Sequence, residues 1–202
     1  MKAVLMSIQP KWVEKIASGK KTIEVRKTRP KIATPFKVYI YETKGKKVEC
    51  GFHFEETGRT LREKYVFGMR EAKIVKHYRN EGQGKVIGEF VCDAVIEFTK
   101  AFFDEQEPQD TEEIDFYLDQ FQIPYNELCS YADLKDFYGW RISDLKIYDK
   151  PKELSEFKLP CTQKQCASWC KDMKVEKAIC LNKGKRFITR PPQSWCYVEV
   201  AE

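Results

Sequence analysis

Hydrophobic and polar positions alternate along several short stretches of the chain, as they do in β-strands with one buried face. This alternation predicts strands at 4–8, 21–26, 36–42, 85–98, 140–148 and 186–200. A helical spacing predicts one helix after the first strand, beginning at Pro10 and ending at Gly19. Two further short helices are predicted at 111–121 and 131–138. Short strands interrupted in this way favour an α+β fold, built as a small, partly open β-barrel with peripheral helices.

Local irregularities refine this prediction. Gly88 lies inside a long strand-like stretch and predicts a β-bulge. In the 140–148 strand, the apolar residues change from one face to the other at Ser143-Asp144, which predicts a second bulge. Residues 45–84 are polar and carry six glycines, a pattern that indicates one or two hairpins. Pro191 and Pro192 restrict the last strand to an edge or a strand entry.

Charge is distributed unevenly along the chain. The net charge of +5 is mild for a nucleic-acid-binding protein, but residues 11–47 carry twelve lysines and arginines against three glutamates, whereas residues 104–119 are acidic. This asymmetry is consistent with an anionic ligand on one side of the molecule, and equally with a solvated surface. No apolar run reaches the roughly 20 residues of a membrane helix, and no signal peptide is recognised, so we expect a cytoplasmic protein without membrane contact.

The strand at 21–26 combines an apolar face with chemically active side chains. Ile23 and Val25 point to one side, so Thr22, Glu24 and Arg26 share the other, with Lys21 at the start of the strand. Such a set predicts a lined cleft that binds a phosphate or a base edge, or that performs acid–base chemistry with Lys21 activated by desolvation. The alternative is a salt-bridge ladder on an ordinary exposed face.

The same segment resembles a known family. The ASCH domains carry the signature Gly-x-Lys-x-x-Glu-x-Arg, which stands here as Gly19, Lys21, Glu24 and Arg26. Further blocks are similar to the family in the same order, at 37–41, 84–90, 140–145 and 190–195. ASCH domains are close in fold to the PUA RNA-binding domains, so the resemblance implies a single PUA-like domain over 1–202. Segments outside the family pattern, at 45–84 and 160–183, are interpreted as two insertions.

The resemblance also implies a range of activities. Some ASCH domains are RNA- or DNA-binding modules, some are ribonucleases, and a bacterial branch hydrolyses N4-acetylcytidine with a lysine, a threonine and a glutamate. Lys21 matches the lysine of that branch, whereas Glu24 stands where the branch has threonine, although Thr22 is adjacent. If the protein is an enzyme, the implied catalytic residues are Lys21, Thr22 and Glu24.

Aromatic and polar residues near the signature extend the candidate site. Tyr39 and Tyr41 alternate with Lys37 on the presumed outer face of their strand, an arrangement suited to gripping single-stranded nucleic acid by stacking and phosphate pairing. Cross-strand tyrosine packing is the alternative. Ser143 is expected either to add a donor to the cleft or to stabilise its bulge.

Four of the eight cysteines are clustered as Cys161-x4-Cys166-x3-Cys170-x9-Cys180. A tetrahedral zinc ion needs four ligands, and this lysine-rich insertion has little apolar material of its own to fold around, so the cluster predicts one structural zinc ion. The alternative is four unrelated thiols in a variable insertion. Two histidines in the whole chain argue against a Ser-His-Asp triad or a multi-histidine metal centre.

Three functions remain open at this level. The first is an RNA-binding protein that recognises single-stranded RNA or a modified nucleoside through Lys21, Glu24, Arg26, Lys37, Tyr39, Tyr41 and Ser143. The second is a hydrolase acting on RNA or on N4-acetylcytidine. The third is a protein adaptor that uses the cysteine-rich insertion and the acidic segment, with an unknown protein partner.

Overall fold

The computed structural model describes residues 2–44, 46–53, 73–79, 82–103, 111–160 and 187–199. Its elements in chain order are β1 (Lys2–Ile8), α1 (Pro10–Ala17), β2 (Ile23–Arg26), β3 (Phe36–Glu42), β4 (Lys46–His53), β5 (Lys73–Arg79), β6 (Val86–Phe98), α2 (Thr111–Phe121), α3 (Tyr125–Ala132), β7 (Phe137–Lys152) and β8 (Trp195–Glu199). Single 3-10 turns lie at Lys100–Phe103 and Leu154–Glu156. In these ranges, every helix is too short or too polar to cross a bilayer.

Six strands form one mixed sheet in the order β2-β7-β6-β3-β1-β8. β1 and β3 are parallel, and all other neighbours in this sheet are antiparallel. Among the described residues the pairing ends at β2 and β8, so the sheet is not closed into the barrel that the sequence predicts. The α+β class is confirmed, and β4 and β5 form a separate antiparallel pair within the predicted 45–84 insertion.

β1 is buried on both faces, which its nearly continuous apolar sequence suits. Val4, Met6 and Ile8 point into the main core, where they meet α1, β3, β6 and Trp140 of β7. Ala3 and Leu5 point into a second core on the opposite face of the sheet. β1 therefore contributes side chains to two cores, one on each face of the sheet.

A third core, the helical core, lies beneath α2 and α3. Ile23 and Val25 contribute the apolar face of β2, and aromatic rings from β6, α2 and β7 pack against them; the main ones are Phe98, Phe121 and Phe137. Phe98 and Phe137 stack with ring centroids 4.8 Å apart. The opposite, charged face of β2 therefore points toward Trp140 and the main core, since Glu24 is paired with Trp140 in register.

Both predicted bulges are present. β7 has one more residue than β6 between the pairs Glu89–Lys146 and Val91–Ser143, and Asp144 takes a left-handed φ of 46° in that stretch. The register also shifts next to Gly88, where a Cβ atom would lie 2.6 Å from the Lys146 carbonyl oxygen. Glycine at position 88 therefore allows β6 and β7 to approach each other at the bend.

The predicted helix at 131–138 is wrong. α3 begins at Tyr125, after Pro124, and ends at Ala132, because Asp133 and Leu134 adopt φ values of 60° and 53°. The Asp133 amide then donates to the Cys129 carbonyl, and Phe137 opens β7. A helix that ends at non-glycine residues with positive φ is hard to predict from sequence, because glycine is the usual residue at such positions.

Candidate functional site

The turn after α1 places Lys21 inside the protein. Gly19 has a φ of 74°, which glycine adopts without strain, and the Lys21 amide donates to the Lys15 carbonyl at 3.0 Å. The Lys21 side chain then runs inward, with 1% of the residue exposed. Its Nζ donates to the Phe121 carbonyl oxygen at 2.5 Å and lies 5.3 Å from the centroid of the Trp12 ring.

Glu24 joins two cations. Its Oε1 lies 2.8 Å from an Arg26 guanidinium nitrogen, and its Oε2 lies 3.4 Å from the Lys21 Nζ. Glu24 and Arg26 are 5% and 7% exposed, so all three charges are removed from water. The structure thus brings Lys21, Glu24 and Arg26 together as one buried set, which we call the charge triad.

Arg26 also links the triad to two distant parts of the chain. One terminal nitrogen donates to the Ser7 carbonyl oxygen of β1 at 2.9 Å, and the other donates to the Ser194 hydroxyl at 3.4 Å. Ser7 is itself held, since its hydroxyl donates to the Pro192 carbonyl at 2.7 Å. The guanidinium therefore lies between β2, β1 and the segment that leads into β8.

Three buried polar atoms have no hydrogen-bond partner among the described residues: Glu24 Oε2, Arg26 Nε and Trp140 Nε1. The lysine near Glu24 Oε2 does not complete a hydrogen bond to it. An unmade hydrogen bond of this kind costs on the order of 1–3 kcal/mol, and native structures contain few of them. The three atoms are one acceptor and two donors.

Burial is the main influence on the lysine of the triad. Desolvation lowers the pKa of the Lys21 ammonium below its ordinary value of 10.5, and the nearby cations Arg26 and Lys15 act in the same direction, while Glu24 opposes them. A lysine whose charged form is disfavoured is a better base or nucleophile than an exposed one. In this structure, however, its ammonium is engaged with the Phe121 carbonyl.

Two predicted site residues lie apart from these contacts. The Thr22 hydroxyl donates to the Gln120 side chain of α2, so it faces a helix rather than the triad. The Ser143 hydroxyl donates to the Val91 carbonyl at 2.9 Å across the β6–β7 bulge. Ser143 thus has the second of its two predicted roles, stabilising the bulge.

The predicted exposure of Tyr39 and Tyr41 is wrong. They are 1% and 5% exposed and belong to the second core, where the Tyr39 ring meets Phe157 at 4.9 Å. Stacking of RNA bases on these rings is therefore excluded in this conformation. The physical reason is that residues late in the described chain, among them Phe157 and Ile188, cover what would otherwise be the outer face of β3.

Lys37 remains partly exposed but is engaged in an ion pair. Its Nζ donates to Glu89 at 2.9 Å, and the Tyr148 hydroxyl donates to the other carboxylate oxygen at 2.6 Å. Burial alone would raise the pKa of Glu89, yet the hydrogen bonds from Tyr148 and Lys37 outweigh it and lower that pKa. This group lies beside the second core and is separate from the contacts of the triad.

The cysteine cluster lies outside the described residues. The predicted ligands Cys161, Cys166, Cys170 and Cys180 fall in the range 161–186, so the zinc ion stays a prediction. Within the residues that the structure does describe, no group of three or more His, Cys, Asp or Glu side chains could hold a metal ion. Cys92, Cys129 and Cys196 are free thiols.

Sequence reasoning missed several residues of the site. Four residues that contact the triad or lie beside it have no predicted role: Trp12, Ser7, Trp140 and Ser194. Of these, only Trp140 and Ser194 fall in the blocks that resemble the family. The alternation of β1 could have indicated Ser7, the one polar residue in an apolar run from Ala3 to Ile8. A lone polar position in a buried strand requires a partner.

Comparison with known proteins concerns the family and the fold. The family model of the ASCH domain matches residues 6–126, more than half of the chain and including the whole triad. No curated protein matches the sequence.

Among solved structures, a point mutant of an ASCH protein from Zymomonas mobilis has a TM-score of 0.50 at 15% identity, over 98% of this chain and 91% of that one. The unsubstituted protein from the same organism has a TM-score of 0.49 at 15% identity, over 98% and 87% of the two chains. At this level of identity the likeness concerns the fold alone, and that of the mutant supports a PUA-like architecture. On the family match, the chain is a member of the ASCH domain family.

Proposed function

We propose that this protein binds single-stranded RNA, or a modified nucleoside within it, and that the charge triad reads the bound base. The observation that carries the proposal is the set of unpartnered buried atoms, Glu24 Oε2, Arg26 Nε and Trp140 Nε1. Proteins read unpaired bases by hydrogen bonds to their polar edges, and a carboxylate commonly accepts from an exocyclic amino group. A base that donates to Glu24 and accepts from the other two atoms would satisfy all three.

The family membership supports the same class of ligand, because ASCH domains are generally RNA-binding or PUA-like. Access to the triad requires local movement, since all three residues are at most 7% exposed. The partly exposed ring of Tyr131 lies against this region, with its hydroxyl 3.5 Å from the Val25 carbonyl. We propose that the entry path for a base lies here.

The decisive experiment measures equilibrium binding of labelled single-stranded RNA to the wild type and to Lys21→Met. Methionine keeps the long apolar stem and removes the charge that lies 3.4 Å from Glu24 Oε2. The fold should persist, while affinity should fall at least about tenfold, because Glu24 without that cation is a weaker charged acceptor for the base. Lys135→Met is the matched control, because Lys135 is exposed and pairs only locally with Asp133. Equal binding by wild type and Lys21→Met would reject the triad as the site.

A hydrolase is the second candidate function. The observation that favours it is the lowered pKa of Lys21 beside the Glu24 carboxylate, a pairing suited to proton transfer. Incubating the protein in excess over RNA, and separately over N4-acetylcytidine, distinguishes the two functions. Tight binding without any product supports a binding protein, whereas product that disappears in Lys21→Met and in Glu24→Gln supports the enzyme.

A further inference from the structure

The loop that follows β2 presents three cations without acidic partners. Lys27, Arg29 and Lys31 are all exposed, and within the described ranges none of them forms a salt bridge. The Asp133 carboxylate, whose pKa is lowered mainly by Lys135 and in smaller part by Lys27, is paired with Lys135. We call residues 27–31 the cationic loop.

Aromatic side chains hold this loop in place. The Lys27 ammonium lies 5.4 Å from the Tyr131 ring centroid, and the Arg29 guanidinium lies 5.8 Å from that of Tyr138. Cations over aromatic faces are attracted by the ring quadrupole. These contacts restrict the side chains before any ligand arrives, which lowers the entropic cost of fixing them on phosphates.

The loop backbone is anchored as well. The Lys31 amide donates to the Tyr197 hydroxyl at 2.7 Å, and the Trp195 indole N–H donates to the Thr28 hydroxyl at 3.0 Å. Both aromatic residues belong to β8, at the edge of the sheet, and their rings pack against each other at 5.5 Å. The cationic loop is therefore a fixed surface built on β7, β8 and α3 rather than a chain of independent lysines.

The same aromatic residues connect the loop to the triad. Trp195 packs on Trp140, whose indole N–H is one of the unpartnered atoms, with ring centroids 5.8 Å apart. Tyr131 carries Lys27 on its ring and directs its hydroxyl at the Val25 carbonyl, between the two charged residues of β2. Tyr131 and Trp195 thus each contact the cationic loop and also a residue of β2 or β7 next to the triad.

We propose that the cationic loop is the backbone-binding surface for single-stranded RNA, holding the phosphates on either side of a nucleotide whose base enters the triad. This inference rests on the proposed function and adds the strand path to it. A single strand is the fitting partner because turning an unpaired base out of the strand breaks no base pair, while its neighbours stay on the cations and exposed rings. A base-paired strand of the same sequence cannot do this without melting.

The test compares two triple variants that lose the same charge. Lys27→Gln/Arg29→Gln/Lys31→Gln removes the loop cations, and Lys146→Gln/Lys150→Gln/Lys158→Gln removes three other exposed cations. Affinity for a labelled single-stranded RNA octamer, and for its duplex, is measured over a series of salt concentrations. Circular dichroism and thermal melting establish that both variants are folded.

We expect the loop variant to bind the single strand at least tenfold more weakly at low salt, with the log–log salt slope smaller by about 2, since each phosphate contact on a single strand contributes about 0.7. The control variant should change the slope by well under 1, and the wild type should prefer the single strand to the duplex. Equal effects of the two triple variants, or equal binding of duplex and single strand, would overturn the proposal. Wild type that binds no RNA would reject the proposed function itself, whereas RNA binding that depends on Lys21 but not on the loop would reject this inference alone.

Discussion

The Glu24 carboxylate lies 2.8 Å from the Arg26 guanidinium although both residues are more than nine-tenths buried. Breaking one side of a buried ion pair leaves an uncompensated charge in a poorly solvated place. We therefore expect Glu24→Gln to lower the free energy of unfolding by roughly 3–5 kcal/mol, measured by urea denaturation. The control is Asp93→Asn, which breaks the exposed pair with Arg141 and should have a much smaller effect. Equal effects would mean that the triad is not desolvated.

The buried lysine predicts a specific pH dependence of stability. Desolvation lowers the pKa of Lys21 in the folded protein below 10.5, so the cost of burying the charge is fully present below the folded pKa. As the pH rises toward 10.5, the folded protein loses the proton before the unfolded chain does, and stability increases. The unfolding free energy of the wild type should thus rise relative to that of Lys21→Met above neutral pH, as urea titrations at successive pH values would show. Parallel pH curves would contradict this.

Glu89 predicts a loss of stability in acid. Burial opposes ionisation, but the hydrogen bonds from Tyr148 and Lys37 prevail and hold the pKa of Glu89 below 4.5. The contribution of ionised Glu89 to the free energy of unfolding is therefore complete above pH 4.5, and it is lost as the pH falls through the lowered pKa. The difference in unfolding free energy between wild type and Glu89→Gln should shrink on acidification over that interval. A difference that stays constant down to the acid transition would exclude the Glu89 contacts as its source.

Gly88 predicts a steric cost at the bend of β6. A methyl group there would meet the Lys146 carbonyl at 2.6 Å and the Ile147 side chain at 3.1 Å. Gly88→Ala should cost about 1–3 kcal/mol by overpacking, as chemical denaturation can measure. Gly19→Ala is the comparison: nothing lies within 4 Å of its new methyl group, and only its φ of 74° is unfavourable. Its cost should be about 1–2 kcal/mol, from backbone strain alone.

The cysteine cluster predicts one zinc ion per chain. Metal analysis of the purified protein should find about one equivalent that a strong chelator removes. Cys166→Ser/Cys170→Ser should abolish that metal, since a tetrahedral site needs four ligands, while the sheet still unfolds cooperatively. Metal-free protein with all eight thiols reactive would end the prediction.

The sequence predicted the parts of the site that depend on short-range pattern. Strand alternation placed Glu24 and Arg26 on one face of β2, and the helix stop at Gly19 placed Lys21 beside them. It could not predict that Arg26 meets Ser7 and Ser194, because these contacts span 19 and 168 positions and leave no periodic trace.

The predicted exposure of Tyr39 and Tyr41 is wrong for a related reason. Beside Lys37 their strand appears amphipathic, but the cover of its polar-looking face comes from Phe157, Ile188 and Val198, far along the chain. Alternation distinguishes two faces of a strand without saying whether a later segment will bury the second one. Tyr131 on α3 and Tyr138 in β7, by contrast, are at least partly exposed.

The position of β8 determines when the site is complete during synthesis. β8 pairs with β1, and Ser194, just before it, is the latest of the described residues that bond to Arg26. A nascent chain that has emerged only as far as β7 has both partners of the Glu24–Arg26 pair. It lacks the strand that pairs with the outer edge of β1, and it lacks the Trp195 ring that packs on Trp140. The Arg26 guanidinium is therefore fully held only after β8 and the residues before it have been made.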